Sequence, residues 1–153
     1  MFRLRVAAIA AAWMLAAATA PVAAQPEAPA QPQATPTNPI YGMWINPYRS
    51  VAVRTGPCGE RLCGWIVWAN QEAQNDARDG GTPKLIGTAL LENYRNDKPR
   101  SWSGTVFVPD MNRRFYSIIQ QVAPDQMKVK GCILGGLLCK SQVWHKIAEL
   151  PHA

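Results

Sequence analysis

The residues of this sequence best able to do chemistry are its thiols and imidazoles, namely Cys58, Cys63, Cys132, Cys139, His145 and His152. An even number of cysteines favours disulfides if the chain is exported, as the pattern of residues 1–24 predicts. A zinc site would need tighter cysteine pairs with histidines at matching spacing, and a redox site would need a Cys-x-x-Cys motif. Neither pattern occurs in the sequence. We therefore expect disulfides, with no metal and no cofactor.

Each cysteine pair flanks a short segment typical of a hairpin turn. Cys58 and Cys63 enclose GERL, and Cys132 and Cys139 enclose ILGGLL. The local pairing, Cys58–Cys63 with Cys132–Cys139, would clamp two hairpins. Four cysteines also allow two crossed connectivities, which the sequence leaves open.

Direct opposition of the paired cysteines would fix the register of each hairpin. It places Val53 opposite Trp68 in the first hairpin and Met127 opposite Trp144 in the second. Both pairs are apolar, so the bridges agree with the alternation of apolar residues on one buried face. Trp65 would then lie on the other face of its strand from Trp68.

The acidic residues and His145 show no pattern typical of a catalytic or calcium site. Asp76 and Asp79 lack the alternating acids and distant Glu of an EF-hand loop. Glu92 and Asp110 belong to different hairpins, and His145 has no nucleophile at a recognisable spacing. A glycine-rich phosphate loop is also missing from the sequence. We therefore expect a protein that is not an enzyme.

The N-terminal residues 1–24 have the three parts of a secretory signal peptide. A basic start precedes an apolar run, and small residues follow at Val22 and Ala24. This pattern favours cleavage over a membrane anchor. Residues 25–39 carry five prolines and little apolar bulk, and we expect a disordered linker there. The expected location is periplasmic or secreted, with no stable membrane span after cleavage.

The charge of the chain argues against a nucleic-acid partner. The formal net charge is +6, and the basic residues are scattered, whereas a nucleic-acid-binding protein shows a basic stripe or a stacking motif. The expected partners are a small apolar ligand or an envelope protein.

Residues 40–147 alternate short β-like runs with turn signals. The predicted strands are 40–46, 51–55, 62–68, 85–94, 102–108, 114–122, 127–133 and 138–147. The segment 70–78 could form a helical turn or two and nothing longer. Short connections favour an antiparallel meander, and closing it removes its exposed edges. We therefore predict an all-β fold, an antiparallel up-and-down barrel of about eight strands, followed by a tail at 148–153.

The first predicted strand resembles that of lipocalin-like, or calycin, barrels. It carries their Gly-x-Trp motif at Gly42 and Trp44. In those barrels a basic residue near the last strand packs over the Trp, and Lys146 would take that place here.

The order of motifs resembles an exported bacterial family catalogued as domain of unknown function 2147. The resemblance covers residues 40–146, from GMWINP through PCGERLCGWIVW to MKVKGCILGGLLCKSQVWHK. The family is expected to carry an Arg where this chain has Lys146, and a Pro-x-x-Gly-x-x-Tyr turn where this chain has PDMNRRFY. The resemblance implies a small calycin-like barrel and no established activity.

The tryptophans lead to two hypotheses about function. An open barrel would bind a small apolar ligand in the cell envelope, and a filled barrel would instead be an interaction module that docks on an envelope protein or polymer. The candidate ligand-binding residues are Trp44, Trp68, Trp102, Met127, Trp144 and Lys146. Trp65 is a candidate contact residue of the second hypothesis.

Overall fold

A computed structural model describes residues 38–152. The predicted signal peptide (1–24) and most of the predicted linker (25–39) lie outside the described residues. The strands are β1 (Gly42–Ile45), β2 (Val51–Cys58), β3 (Arg61–Ala69), β4 (Ala89–Lys98), β5 (Ser101–Val108), β6 (Arg113–Ala123), β7 (Gln126–Ile133) and β8 (Leu138–Ile147). A helix, α1 (Gln71–Asp79), joins β3 to β4, and a 3-10 turn (Leu134–Gly136) joins β7 to β8.

The strands form a closed antiparallel barrel. Each strand pairs with the next one along the chain, and β8 pairs with β1 to complete the circle. The prediction of an all-β, up-and-down barrel is therefore confirmed. Among the described residues, no helix is long and apolar enough to cross a bilayer.

The predicted strand at 85–94 begins and ends later than expected. Leu85 is buried and apolar, but the chain turns at Gly87, whose φ is +89°. Gly87 N–H donates to the carbonyl of Ile66, and Ile66 N–H donates to that of Thr88. Because the turn ties this segment to β3, the regular strand starts only at Ala89.

The polar segment after β3 forms a helix of nine residues, slightly longer than the expected turn or two. Asn70 caps it, because its side-chain oxygen accepts a hydrogen bond from Ala73 N–H at 2.8 Å. Glu72 in the first turn and Arg78 in the last suit the helix dipole. Ala77 is the buried residue of the helix, so α1 packs its small side chains against the barrel.

Both local disulfides are confirmed, with Cα–Cα distances of 5.7 Å for Cys58–Cys63 and 4.1 Å for Cys132–Cys139. The predicted register of the second hairpin is also confirmed. Cys132 lies opposite Cys139, and Met127 lies opposite Trp144.

The predicted register of the first hairpin is wrong. Cys58 lies opposite Arg61 rather than Cys63, because the chain turns tightly at Gly59, where φ is +66°. The disulfide therefore joins diagonal neighbours on one face.

The first hairpin also contains a bulge that changes the position of one tryptophan. Val53 pairs with Ile66, but Ala52 pairs with Trp68. The extra residue in β3 turns Trp68 to the face of Ala52, away from Val53. Trp68 is half-buried on the outside of the barrel, the side to which Trp65 also belongs.

Large side chains fill one end of the barrel, which we call the closed end. Its core includes Trp44, Tyr94, Trp102, Met127 and Trp144. The Trp44 indole N–H donates to the carbonyl of Ile40 at 3.0 Å and to Thr55 Oγ1 at 3.1 Å. This end holds the turns β2–β3, β4–β5 and β6–β7.

Lys146 covers Trp44 as the calycin resemblance implies. Its Nζ lies 5.1 Å from the centroid of the Trp44 ring, within range of a cation–π contact. The same ammonium donates to the carbonyl of Pro39 at 2.8 Å. Lys146 thus ties the start of the described chain to the closed end.

Candidate functional site

The end of the barrel opposite the indole-rich core contains a cavity of about 740 Å³. We call this the open end; α1 and the turns β1–β2, β5–β6 and β7–β8 lie there. Most of the cavity wall is apolar, including Val51, Leu85, Leu90, Val106 and Phe115. Its volume lies within the range of about 300–1,000 Å³ that is common for small-molecule sites.

Small residues on two elements make this space. Ala73 and Ala77 present methyl groups from α1, and Gly131 presents no side chain from β7. The closed end has tryptophan and methionine in the corresponding inward positions. The interior is therefore asymmetric, filled at one end and open at the other.

Polar side chains also line the cavity, and some of them are already engaged. The Asn46 side chain accepts hydrogen bonds from the N–H groups of Ser50 and Val51. Those bonds fix the β1–β2 loop, so Asn46 serves the scaffold.

Three charged residues line the cavity and are exposed: Lys140, Asp76 and Asp110. Within residues 38–152 none of them forms an ion pair; the pair observed there joins Arg114 to Glu92 at 2.9 Å. A ligand could place an apolar body in the barrel and a polar group against these side chains. Asp76 and Asp110 are far apart along the chain, and the fold brings both to one cavity.

The six predicted ligand-binding residues all lie away from this cavity. Trp44, Trp102, Met127 and Trp144 pack in the core, Lys146 covers Trp44, and Trp68 lies outside the barrel. None of the six lines the large cavity. Trp102 instead lines a smaller cleft of about 220 Å³ at the closed end.

Sequence reasoning missed the residues that line the cavity because it followed the largest apolar side chains. In the interior of a barrel, large side chains fill the packed part, and small side chains surround the open part. The available signal was the small residue Gly131, flanked by apolar strand positions, together with Ala73 and Ala77 four residues apart on a helix.

Three buried polar atoms in the interior of the described barrel have no hydrogen-bond partner. Within the described chain, Tyr94 OH, Ser117 Oγ and Trp144 Nε1 lack a hydrogen bond. Ser117 pairs in register with Gly131, which lines the cavity. Burial raises the pKa of Tyr94 above its usual 10.0; the nearby Ser117 hydroxyl lowers it by less, and Glu92 adds a further rise.

We expect the wild type to lose stability at alkaline pH through Tyr94, and we expect Tyr94→Phe to lack this loss. Because the folded-state pKa is raised, the native protein keeps the neutral phenol while the unfolded chain ionises above pH 10. The wild type should then lose about 1.4 kcal/mol of unfolding free energy per pH unit above about 10, relative to the variant. Urea unfolding at pH 8 and pH 11 measures this difference. An identical pH dependence in the two proteins would contradict the burial of this hydroxyl.

Comparisons with known proteins agree with the barrel fold. A sequence profile described as an uncharacterised protein conserved in bacteria, DUF2147, matches residues 42–146. A search of curated proteins gives no match. Among solved structures, protein HP1028 from the human pathogen Helicobacter pylori, described as belonging to the lipocalin family, superposes with a TM-score of 0.56 at 12% identity. The match covers 71% of this chain and 83% of that one. At this identity the likeness concerns the fold, and the family match is the more specific finding: the chain belongs to the DUF2147 family and folds as a lipocalin-like barrel.

Proposed function

We propose that the protein binds a small apolar ligand in the cavity at the open end of the barrel. The observation that carries the proposal is the cavity of about 740 Å³ with its largely apolar wall. Water gains little along the apolar part of this wall, because it finds few hydrogen-bond partners there. An apolar molecule would replace that water and gain contacts with Val106, Phe115 and Leu90.

The packed indoles support binding indirectly. Trp44, Trp102 and Trp144 fix the closed end, so that the open end keeps its shape without a ligand. A site that is formed in advance binds with less loss of conformational entropy. In this proposal the tryptophans form the floor beneath the site and do not line it.

The rival hypothesis of a filled barrel is less favoured by these observations. In a filled barrel, larger side chains would be expected at the inward positions that Gly131 and Ala77 occupy around the open space. Docking on an envelope protein or polymer stays as the alternative function, and it requires no ligand in the cavity.

We infer that the protein works outside the cytoplasm, in the periplasm or as a secreted protein. Two disulfides in one small domain suit an oxidising compartment. The N-terminal sequence pattern of residues 1–24 supports the same location.

A cavity-filling variant tests the proposed site. In Gly131→Leu, a Cβ atom would meet Val106 Cγ1 at 3.5 Å, an ordinary contact, and the rest of the side chain would occupy the cavity. We expect the affinity for cis-parinaric acid, a fluorescent apolar chain, to fall at least about tenfold through steric exclusion. Fluorescence titration measures it.

Gly56→Leu is the matched control, because its Cβ atom would meet only Trp65, at 4.0 Å, away from the cavity. Its affinity for the probe should equal that of the wild type. Equal affinity in both variants would refute binding in this cavity. A failure of the wild type to bind either this probe or neutral apolar chains would favour the docking alternative.

A further inference from the structure

The hairpin that joins β7 to β8 exposes a cluster of large apolar residues. We call Ile133, Leu134, Leu137 and Leu138 the apolar tip; their exposed fractions are 39%, 72%, 88% and 57%. The Cys132–Cys139 disulfide closes the base of this tip. Clustered exposed apolar side chains of this kind mark contact sites more often than isolated ones do.

Leu134 occupies a backbone conformation that does not suit a leucine. Its φ is +52°, in the left-handed region where glycine or asparagine is favoured and other residues are strained by about 1–2 kcal/mol. Its side chain is mostly exposed, so packing within the domain does not compensate. A strained and exposed leucine is the kind of outlier from which a functional contact is inferred.

The strands that carry the tip and the neighbouring strand are basic. β6, β7 and β8 contain no acidic residue. Their basic residues toward the open end are Arg113, Lys130 and Lys140, together with Arg114, which pairs with Glu92. Lys130 and Lys140 flank the disulfide and are exposed. The exposed acidic residues of the same end lie on other elements, namely Asp110 on the β5–β6 turn and Glu72, Asp76 and Asp79 on α1. Exposed apolar residues bordered by lysines are complementary to a bilayer with anionic headgroups.

The apolar tip is continuous with the cavity. Ile133 and Leu138 line the cavity wall and are also exposed to solvent. A surface that covered the tip would therefore meet the cavity mouth as well.

We propose that the apolar tip docks the protein on the surface of an anionic lipid bilayer. Leu134 and Leu137 enter the boundary between headgroups and acyl chains, and Lys130 and Lys140 contact the anionic headgroups. Docking turns the cavity mouth toward the lipid, which is a source of apolar molecules. The inference goes beyond ligand binding and does not depend on it, because a tip can dock while the cavity is empty.

The test compares the wild type with Leu134→Asn/Leu137→Asn in sedimentation with vesicles of phosphatidylglycerol and phosphatidylethanolamine. Asparagine suits the positive φ at position 134, so the variant should fold at least as well, which thermal unfolding checks. We expect its vesicle affinity to fall at least about tenfold, because two leucines lose their burial. Any vesicle binding by the N-terminal segment is the same in every variant, so a difference in vesicle affinity between variants measures the contribution of the apolar tip.

Val122→Asn is the control. Val122 is an exposed apolar residue, 49% accessible, and it lies near the end of β6 at the closed end of the barrel, away from the apolar tip. It should bind vesicles as the wild type does. Lys130→Gln/Lys140→Gln should weaken binding to anionic vesicles and lower its salt dependence. Equal binding of the tip variant and the wild type would overturn the proposal. So would equal wild-type affinity for neutral phosphatidylcholine vesicles, or a dimer that forms through the tip and excludes lipid.

Discussion

Trp44→Ala should lower the free energy of unfolding by about 3–5 kcal/mol. Trp44 has an exposed fraction of 0%, and its removal would leave a void at the closed end that neighbouring strands cannot fill without breaking their pairing. Its indole N–H also donates to Ile40 and Thr55. Urea unfolding followed by far-ultraviolet circular dichroism measures the loss.

Trp44→Phe separates the packing of the ring from its hydrogen bonds. The carbonyl of Ile40 keeps a second donor, because Thr55 Oγ1 donates to it at 2.6 Å. The loss of the indole N–H alone should therefore have a smaller effect, about 1–2 kcal/mol including the reduced ring size.

Trp65→Ala is the matched control for Trp44→Ala. Trp65 is half-buried on the outer face of β3, so its truncation opens no internal void and should cost clearly less. If the two alanine variants had equal stability, Trp44 would not be the centre of the packed end.

The second hairpin shows what the sequence could predict. Apolar alternation and the cysteine spacing together predict that Met127 lies opposite Trp144, and the structure has this pairing. They agree because β7 and β8 pair without a bulge. Local pattern therefore determined the register where the backbone stayed regular.

The first hairpin, β2–β3, shows why the same reasoning failed there. Its disulfide joins diagonal rather than opposite residues, and an extra residue in β3 turns Trp68 outward. Bulges depend on the twist of the closed sheet, which is a property of all its strands. No pattern within β2 and β3 alone reports that constraint.

The position of the cavity could not be read from periodicity. An alternation of two identifies the inward face of each strand, but it does not say which end of the barrel is filled. That depends on the stagger between distant strands, which brings Gly131 of β7 to the same space as Ala77 of α1. The free volume at one height of the barrel depends on the side chains that all the strands contribute at that height.

Helix α1 covers part of the cavity, and Gly80 lets it do so. The residue ends the helix with φ of −75°, a conformation that alanine adopts freely. A Cβ atom at this position would lie 2.6 Å from the Cα atom of Asp110 and closer still to its carbonyl oxygen. Thr82 Oγ1 donates to the carbonyl of Pro109 at 2.9 Å. The end of α1 is thus seated directly on the β5–β6 turn.

Gly80→Ala should therefore destabilise the protein, by about 1–3 kcal/mol. The sign of the stability change is informative. Gly→Ala at an unstrained position with free space stabilises a protein by about 0.4–1 kcal/mol, because it lowers the conformational entropy of the unfolded chain. The clash involves backbone on both sides, so relief requires α1 to move away from the turn. Such a movement would open the cavity wall formed by Ala73 and Ala77, and the affinity for an apolar probe should fall with the stability.

Gly56→Ala provides the comparison for this change, since its Cβ atom would meet nothing closer than Trp65 at 4.0 Å. It should change stability by less than about 1 kcal/mol and leave probe affinity unaltered. A gain of stability in Gly80→Ala would mean that α1 does not rest on the β5–β6 turn in solution. A loss of stability with unchanged probe affinity would mean that α1 braces the barrel without shaping the cavity, because steric displacement of a wall must alter what the wall binds.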